Sequence, residues 1–139
     1  MIRQKITLPK YDNWEIMAYY ATSRYAVDEI MEQLWLIRID ANNAKRAFDN
    51  LSSGELDTGL CYSNYSLRKS VLVVALTTSA SEFMNSLTHE FAHACVHIST
   101  ALDIDKQSED FAYMIGDLCQ IAFGKVNELL CEHCRCDKI

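Results

Sequence analysis

The run 88–93, T-H-E-F-A-H, constrains this chain more than any other stretch of its sequence. Residues four apart in an α-helix lie one turn apart on the same face, so His89 and His93 can direct imidazole nitrogens at one metal ion. Glu90 sits about 100° round the helix from His89. It is poorly placed to join the pair as a ligand, but it can reach a water bound to the metal. The spacing therefore predicts a zinc-binding helix with a carboxylate base beside the metal.

The residues around this motif favour a long helix that lies half in the core. No proline or glycine occurs from 83 to 98. Apolar side chains recur at three- and four-residue spacing and form a stripe about a quarter turn from the histidines; they are Phe83, Leu87, Phe91, Ala94, Cys95 and Ile98. Such a helix can pack one face in the core and line a cleft with another. The alternative is a core helix whose histidines are only hydrogen-bonded.

A catalytic zinc ion takes three protein ligands and leaves one position for water, so a third ligand is needed. His97 continues the histidine stripe but is too far along the helix. It lies about 12 Å along the axis from His89, whereas zinc–nitrogen bonds are about 2.0–2.1 Å. We therefore expect His97 to orient another group, to contact a substrate, or simply to pack.

A second helix downstream supplies carboxylates that could be the third ligand. Either Asp105 or Ser108 can cap a helix over about 106–124, which carries an apolar stripe of its own. Glu109 and Asp110 lie at its start. Because a carboxylate on an antiparallel partner helix can face the histidines, either residue is a candidate.

Residues 85–118 resemble the gluzincin group of zinc metallopeptidases. The similarity is closest to compact phage and mobile-element proteins and to ImmA/IrrE-type domains. Those domains carry H-E-x-x-H-x-x-x-H, which this chain matches from His89 to His97. They follow it with a helix that opens on a glutamate ligand, and Glu109 stands at that place in this chain.

The resemblance implies a zinc peptidase. Zn²⁺ would be bound by His89, His93 and Glu109, and Glu90 would be the general base that takes a proton from a zinc-activated water. The resemblance further implies that the strand before the active helix, at 71–77, borders the substrate, which can add to its edge.

One position departs from the family pattern. Thermolysin-like gluzincins have an aspartate four residues after the glutamate ligand, where it orients a histidine, and this chain has Tyr113 there. Asp117 or Asp103 could take over that contact. Tyr113 lies one turn from Glu109 and is a candidate catalytic donor to the oxyanion. In the alternative interpretation, Tyr113 is an aromatic side chain that packs at the interface between the two helices.

We therefore expect a small zinc metallopeptidase that hydrolyses peptide bonds of a protein or peptide substrate. The alternative is a non-catalytic zinc-binding interaction or regulatory module of the phage or mobile-element type. A third hypothesis is a helical interaction domain without metal.

Length and composition fit one compact domain over residues 1–139. Half of the residues are hydrophobic, which excludes a disordered chain. The net charge of −6 argues against a duplex nucleic acid partner, because phosphate binding needs a basic surface. The longest apolar run, at 71–76, is too short to span a membrane, and no apolar signal segment follows the first residues. A cytoplasmic protein is the expectation.

The remaining sequence predicts a mostly helical α+β scaffold. Residues 2–8 alternate as a short strand ended by Pro9, and a helical stretch is expected from Asp12 or Asn13 to Tyr20. Further helices are expected over 23–39 and 41–51. Residues 60–65 and 70–77 indicate an antiparallel hairpin packed on the histidine helix, which we place at about 80–99.

The six cysteines divide into two groups. Cys61, Cys95 and Cys119 lie within apolar patterns and are expected to be buried free thiols. The Cys-rich C-terminal tail at 131–136 contains Cys131, His133, Cys134 and Cys136, which are chemically able to bind a second metal. Only one such cluster occurs, so a reduced, flexible tail is the leading interpretation.

Overall fold

The computed structural model describes residues 1–23, 26–54 and 56–135. Four strands and four α-helices follow one another along the chain: β1 (Ile2–Leu8), β2 (Trp14–Thr22), α1 (Val27–Leu36), α2 (Ala41–Ser53), β3 (Gly59–Asn64), β4 (Lys69–Ala75), α3 (Ala80–Leu102) and α4 (Glu109–Val126). Short 3-10 turns at Pro9–Tyr11 and Asn127–Leu130 complete the order.

The four strands form one sheet in the order β1-β2-β4-β3. The pairs β1/β2 and β3/β4 are antiparallel, and β2 and β4 run parallel in the centre. Parallel neighbours need a crossover connection, which α1, α2 and β3 provide here. The predicted α+β class and the antiparallel β3/β4 hairpin are confirmed. The sheet is mixed rather than antiparallel, and it contains β1 and β2 in addition to the hairpin.

Helices cover both faces of the sheet. On one face, α1 and α2 pack their buried residues Ile30, Leu34, Ala47 and Leu51 against Tyr19, Val71 and Val73 of the central strands. On the other face, α3 and α4 pack against Ile16, Ala18, Leu72 and Val74. Alternate residues of each central strand therefore face opposite layers, as the period of two in a β-strand requires.

The helix predicted to start at Asp12 or Asn13 is wrong, since residues 14–22 form β2. Asp12 and Asn13 adopt left-handed φ values of 60° and 57°. Both residue types tolerate that conformation, and here they turn the chain back so that Trp14 pairs with Leu8. Because β2 is central and covered on both faces, its sequence is nearly continuously apolar and lacks the alternation of a half-exposed strand.

The other helix predictions are confirmed, with shifts at their ends. Within the predicted span 23–39, α1 covers Val27–Leu36, and residues 24 and 25 lie outside the described part. Gly54, with φ of 72°, ends α2 in the left-handed conformation common after helices. Ser108, and not Asp105, caps α4, because its side chain accepts a hydrogen bond from the backbone N–H of Phe111. Among the helices of the described ranges, none is both long and apolar enough to cross a membrane.

Candidate active site

The 23-residue helix α3 presents its motif residues to different surroundings. One face is buried against the sheet and α4, as the apolar stripe predicts. His89 and His93 lie on an exposed side. Glu90 turns toward the start of β3 and is only 2% exposed. The motif therefore separates into an accessible imidazole pair and an adjacent buried carboxylate.

The two imidazoles are already spaced as a metal ion requires. The Nε2 atoms of His89 and His93 are 3.2 Å apart, and the ring centroids are 4.9 Å apart at an interplanar angle of 70°. A tetrahedral zinc ion with bonds of about 2.0–2.1 Å holds two of its nitrogens roughly 3.3–3.4 Å apart. The nitrogen–nitrogen distance therefore matches that of two zinc-bound histidines. The same distance also suits a direct N–H···N hydrogen bond between the rings.

Glu90 has one occupied and one free carboxylate oxygen. The hydroxyl of Thr58 donates to Oε1 at 2.8 Å. Oε2 is buried and has no hydrogen-bond partner among the described residues. Burial raises the pKa of Glu90 above its ordinary value, and the Thr58 hydrogen bond and the two histidines counteract that rise. A carboxylate of this kind accepts a proton more readily than an exposed one, and Oε2 is the atom left to receive it.

Gly59 allows β3 to approach this carboxylate. Its φ is 149°, and a Cβ at this position would lie 1.8 Å from the carbonyl oxygen of Val73 and 3.2 Å from Cγ of Glu90. No side chain fits in that space. The close contact between the first residue of β3 and Glu90 therefore depends on glycine.

His97 contacts β3 and does not join the histidine pair. Its Nδ1 lies 2.7 Å from the hydroxyl of Ser63 and 3.9 Å from the sulfur of Cys61. The rings of His93 and His97 are 6.5 Å apart between centroids. Burial, with a smaller contribution from His93, lowers the pKa of His97. Both effects favour the neutral ring, and its contacts turn Nδ1 toward β3.

Cys61 could suggest a cysteine–histidine nucleophile, but its surroundings oppose that chemistry. Burial raises the pKa of the Cys61 thiol far above its ordinary value, and the nearby charge of Glu90 raises it further. The thiolate is the nucleophilic form, and it is suppressed at neutral pH. Cys61 serves here as a packed thiol.

The predicted third ligand is not beside the pair in this structure. Glu109 is the exposed first residue of α4. His93 lies nine residues before the end of α3 at Leu102, which is about 14 Å of helix. Over the ranges that the structure describes, no three His, Cys, Asp or Glu side chains are grouped to hold a metal ion. The ligand role of Glu109, or of Asp110, stays a prediction.

The residues predicted to stabilise the oxyanion or to orient a histidine are also dispersed. Tyr113 is 66% exposed, which does not match the alternative of an aromatic packed at the helix interface. Asp117 forms an ion pair with Lys10 at 3.9 Å. Asp103 ends α3 in the left-handed conformation, with φ of 56°. None of these contacts involves a histidine.

The cysteine predictions are mixed. Cys95 is buried and Cys61 is partly buried, but Cys119 is exposed, contrary to expectation. The tail is attached rather than free as far as it is described: Glu132 accepts a hydrogen bond from the backbone N–H of Ala80 at 2.6 Å, and Arg135 donates to the carbonyl of Thr77. Cys136 lies outside the described residues, so the predicted four-residue cluster is only partly visible.

β3, and not β4, borders the site as a free edge. The resemblance implies an exposed strand at 71–77, but β4 is paired on both sides, with β2 and β3. β3 is the edge strand, and it runs alongside α3 from Gly59, near Glu90, to Ser63, near His97. A cavity of about 510 Å³ continues from Thr58 toward the first turns of α3 and is lined by Asp57, Glu82 and Asn85 among others.

Thr58 and Ser63 are the site residues that the sequence interpretation missed. Gly59, Cys61 and Ser63 are alternate residues of one strand, so they share the face that contacts α3. That alternation is visible in the sequence. Which helix residue each would meet depends on strand order, which a local pattern does not contain.

Comparison of the chain with protein-family models, with curated proteins and with solved structures finds no match.

Proposed function

We propose that this chain is a zinc-dependent peptidase that hydrolyses peptide bonds of a protein or peptide substrate. The observation that carries the proposal is the pair of Nε2 atoms 3.2 Å apart on His89 and His93, next to a buried carboxylate with a free oxygen at Glu90. Zinc bound there would act as a Lewis acid toward water and a carbonyl group. The proposed ligands are His89 and His93. The resemblance implies Glu109 as the third ligand, although Glu109 does not lie beside the pair in this structure.

Glu90 handles the proton in this proposal. Thr58 occupies Oε1, so Oε2 is the atom that accepts a proton during attack on the peptide carbonyl and later returns it to the leaving amine. Oε2 has no hydrogen-bond partner among the described residues, so it is available for both transfers.

The edge of β3 supports an extended peptide as the substrate. A peptide can add to an exposed sheet edge through main-chain hydrogen bonds. A peptide bound along β3 would follow the line from Gly59 to Ser63, which runs past the histidine side of α3. Such a peptide would run parallel to the contacts that Thr58 makes with Glu90 and Ser63 makes with His97.

The test is a comparison of Glu90→Gln with the wild type. Glutamine keeps the size of the side chain and can still accept a hydrogen bond from Thr58, but it cannot take a proton. We expect Glu90→Gln to retain zinc and to cleave an internally quenched peptide library about 10³-fold more slowly. Glu32→Gln, an exposed change on α1, is the matched control and should cleave normally. Cleavage by Glu90→Gln at the wild-type rate would overturn the proposal.

A second candidate is a non-catalytic zinc module that acts by interaction. It is favoured by an open groove of about 710 Å³ between α1 and α2. Trp35, Leu36 and Phe48 line this groove and are 56%, 63% and 48% exposed. Large exposed apolar groups in one groove are typical of interaction sites. This candidate predicts that Glu90→Gln keeps all activity while Trp35→Ser abolishes partner binding.

A further inference from the structure

A chain of hydrogen bonds leads from the interior of the sheet to His97. The indole N–H of Trp14 donates to the hydroxyl oxygen of Ser70 at 2.9 Å. The hydroxyls of Ser70 and Ser63 are 2.6 Å apart, and Ser63 lies 2.7 Å from Nδ1 of His97. Trp14 and Ser70 are 0% and 2% exposed. Three strands and α3 thus meet in one polar chain that crosses the apolar layer beneath the site.

The direction of this chain follows from counting protons. The indole can only donate, so Ser70 accepts from it. Each serine has one hydroxyl hydrogen. If Ser70 donates to Ser63 and Ser63 donates to His97, every hydrogen has an acceptor. In the reverse order the hydrogen of Ser70 would be buried without an acceptor among the described residues, which is strongly disfavoured. If Ser70 and His97 both donated to Ser63, the hydrogen of Ser63 would lose the acceptor that Nδ1 provides.

The direction decides which ring nitrogen of His97 carries the proton. Nδ1 accepts from Ser63, so a neutral ring is protonated at Nε2. The rigid ring directs Nε2 away from β3, and this atom has no hydrogen-bond partner among the described residues. The ring is half-buried and lies one helical turn beyond His93. The Nε2–H is therefore left to donate to solvent or to a bound group.

We propose that Trp14, Ser70 and Ser63 lock His97 in its Nε2–H form, so that it donates a hydrogen bond to a carbonyl oxygen of a peptide bound along β3. This inference rests on the proposed peptidase function. In this proposal His97 contacts the substrate and is a catalytic residue in addition to Glu90. Ser63 and Ser70 are positioning residues that fix the tautomer of His97. A donor fixed before the substrate arrives needs no reorganisation during the reaction, which is the condition for effective stabilisation of developing charge.

The first test reads the tautomer directly and needs no substrate. Long-range ¹H–¹⁵N NMR of the zinc-loaded chain distinguishes a ring protonated at Nε2 from one protonated at Nδ1. We expect His97 to be protonated at Nε2 in the wild type and to become a mixture of both forms in Ser63→Ala. Ser66→Ala, an exposed change in the turn after β3, is the matched control and should leave the signals unchanged. Protonation at Nδ1 in the wild type would overturn the proposal.

The second test measures cleavage of the internally quenched peptide library together with zinc content. His97→Ala should keep its zinc and lower kcat about 10²-fold, the effect of removing one oxyanion donor. His97→Gln, which can place an N–H near the position of Nε2, should recover part of that loss. Ser63→Ala should fall between wild type and His97→Ala.

Two results would overturn the role of His97 alone, both judged against an inactive Glu90→Gln. One is a wild-type rate in His97→Ala, and the other is loss of zinc in that variant, which would make His97 a ligand. Failure of the peptidase proposal has a different signature, namely equal rates in the wild type and in Glu90→Gln.

Discussion

The two faces of the sheet bury different kinds of side chain. Toward α1 and α2 the buried contacts are made by hydrophobic residues such as Leu34 and Val71. Toward α3 the core is also apolar, but it includes buried polar groups. Of the buried polar residues in the described ranges, Ser86, Glu90 and Ser99 lie on α3, and Ser70 is bonded to the chain that reaches it.

The face toward α1 and α2 therefore mainly stabilises the fold. The face toward α3 carries the residues that we propose to take part in peptide hydrolysis. A buried carboxylate with a free oxygen destabilises a fold, because it loses its hydration without full compensation. Apolar packing, as between Leu34 and the sheet, carries no such penalty. Perturbed ionisable groups cluster at functional sites, so the location of Glu90 next to an imidazole pair is more informative than its burial alone.

The largest expected effect on stability comes from the apolar face. Leu34→Ala should lower the free energy of unfolding by about 4 kcal/mol, because it opens a cavity in a fully buried site. Zinc content of the folded protein should not change. Urea unfolding measures the loss, and Leu36→Ala, at a position 63% exposed, is the control with an effect below about 0.5 kcal/mol. A loss under about 1 kcal/mol at Leu34 would contradict the division between the faces.

The next effect tests the contact between β3 and α3. Gly59→Ala should cost about 3 kcal/mol, because its Cβ would meet the Val73 carbonyl 1.8 Å away. Cleavage should fall as well, since Glu90 is displaced. Gly54→Ala is the matched control: it also has a positive φ, but nothing lies within 4 Å of the added atom, so about 1 kcal/mol is expected. If thermal unfolding showed the same loss of stability for Gly59→Ala and Gly54→Ala, β3 would not be packed closely against β4 and Glu90 at Gly59.

A smaller effect decides whether α4 contributes to the site. Glu109→Gln should weaken zinc binding roughly tenfold or more if it supplies the third ligand. Glu32→Gln, an exposed change on α1, is the control and should bind zinc normally. Competition with a chelator of known affinity measures both variants. Equal affinities would remove Glu109 from the ligand set and leave the site on α3 and β3.

The smallest effect is expected in the groove between α1 and α2. Trp35→Ser should change stability by less than about 0.5 kcal/mol, because the side chain is 56% exposed. Zinc content and peptide cleavage should be unaffected. Slower peptide cleavage by Trp35→Ser at unchanged stability would link this groove to the active site. It would then contradict the assignment of function to the α3 face alone.

The sequence predicted the elements that have a clear local period. The apolar stripes of α3 and α4 are sufficient to locate both helices within a few residues, although they leave the cap of α4 open between Asp105 and Ser108. β2 was mistaken for a helix because a strand buried on both faces has no alternation to detect. The edge position of β3 could not be predicted, because strand order is set by contacts between distant segments.

The candidate site also contains features that the sequence can predict and features that it cannot. The spacing of His89 and His93 is fixed by helix geometry, so their approach could be predicted from the sequence alone. The hydrogen-bond partners of Glu90 and His97 are Thr58, just before β3, and Ser63 on β3; both are more than 30 residues away in sequence. The position of Glu109 depends on how α4 packs against α3, which the period of either helix does not determine.

Zinc content per chain is the decisive measurement for the histidine pair. Elemental analysis is made on a variant in which Cys131, Cys134 and Cys136 are all serine, so that the tail cannot bind metal. The account predicts close to one zinc ion per chain, and its loss when His93→Ala is added. Near-zero zinc in a folded sample would contradict the account and leave His89 and His93 as a hydrogen-bonded pair.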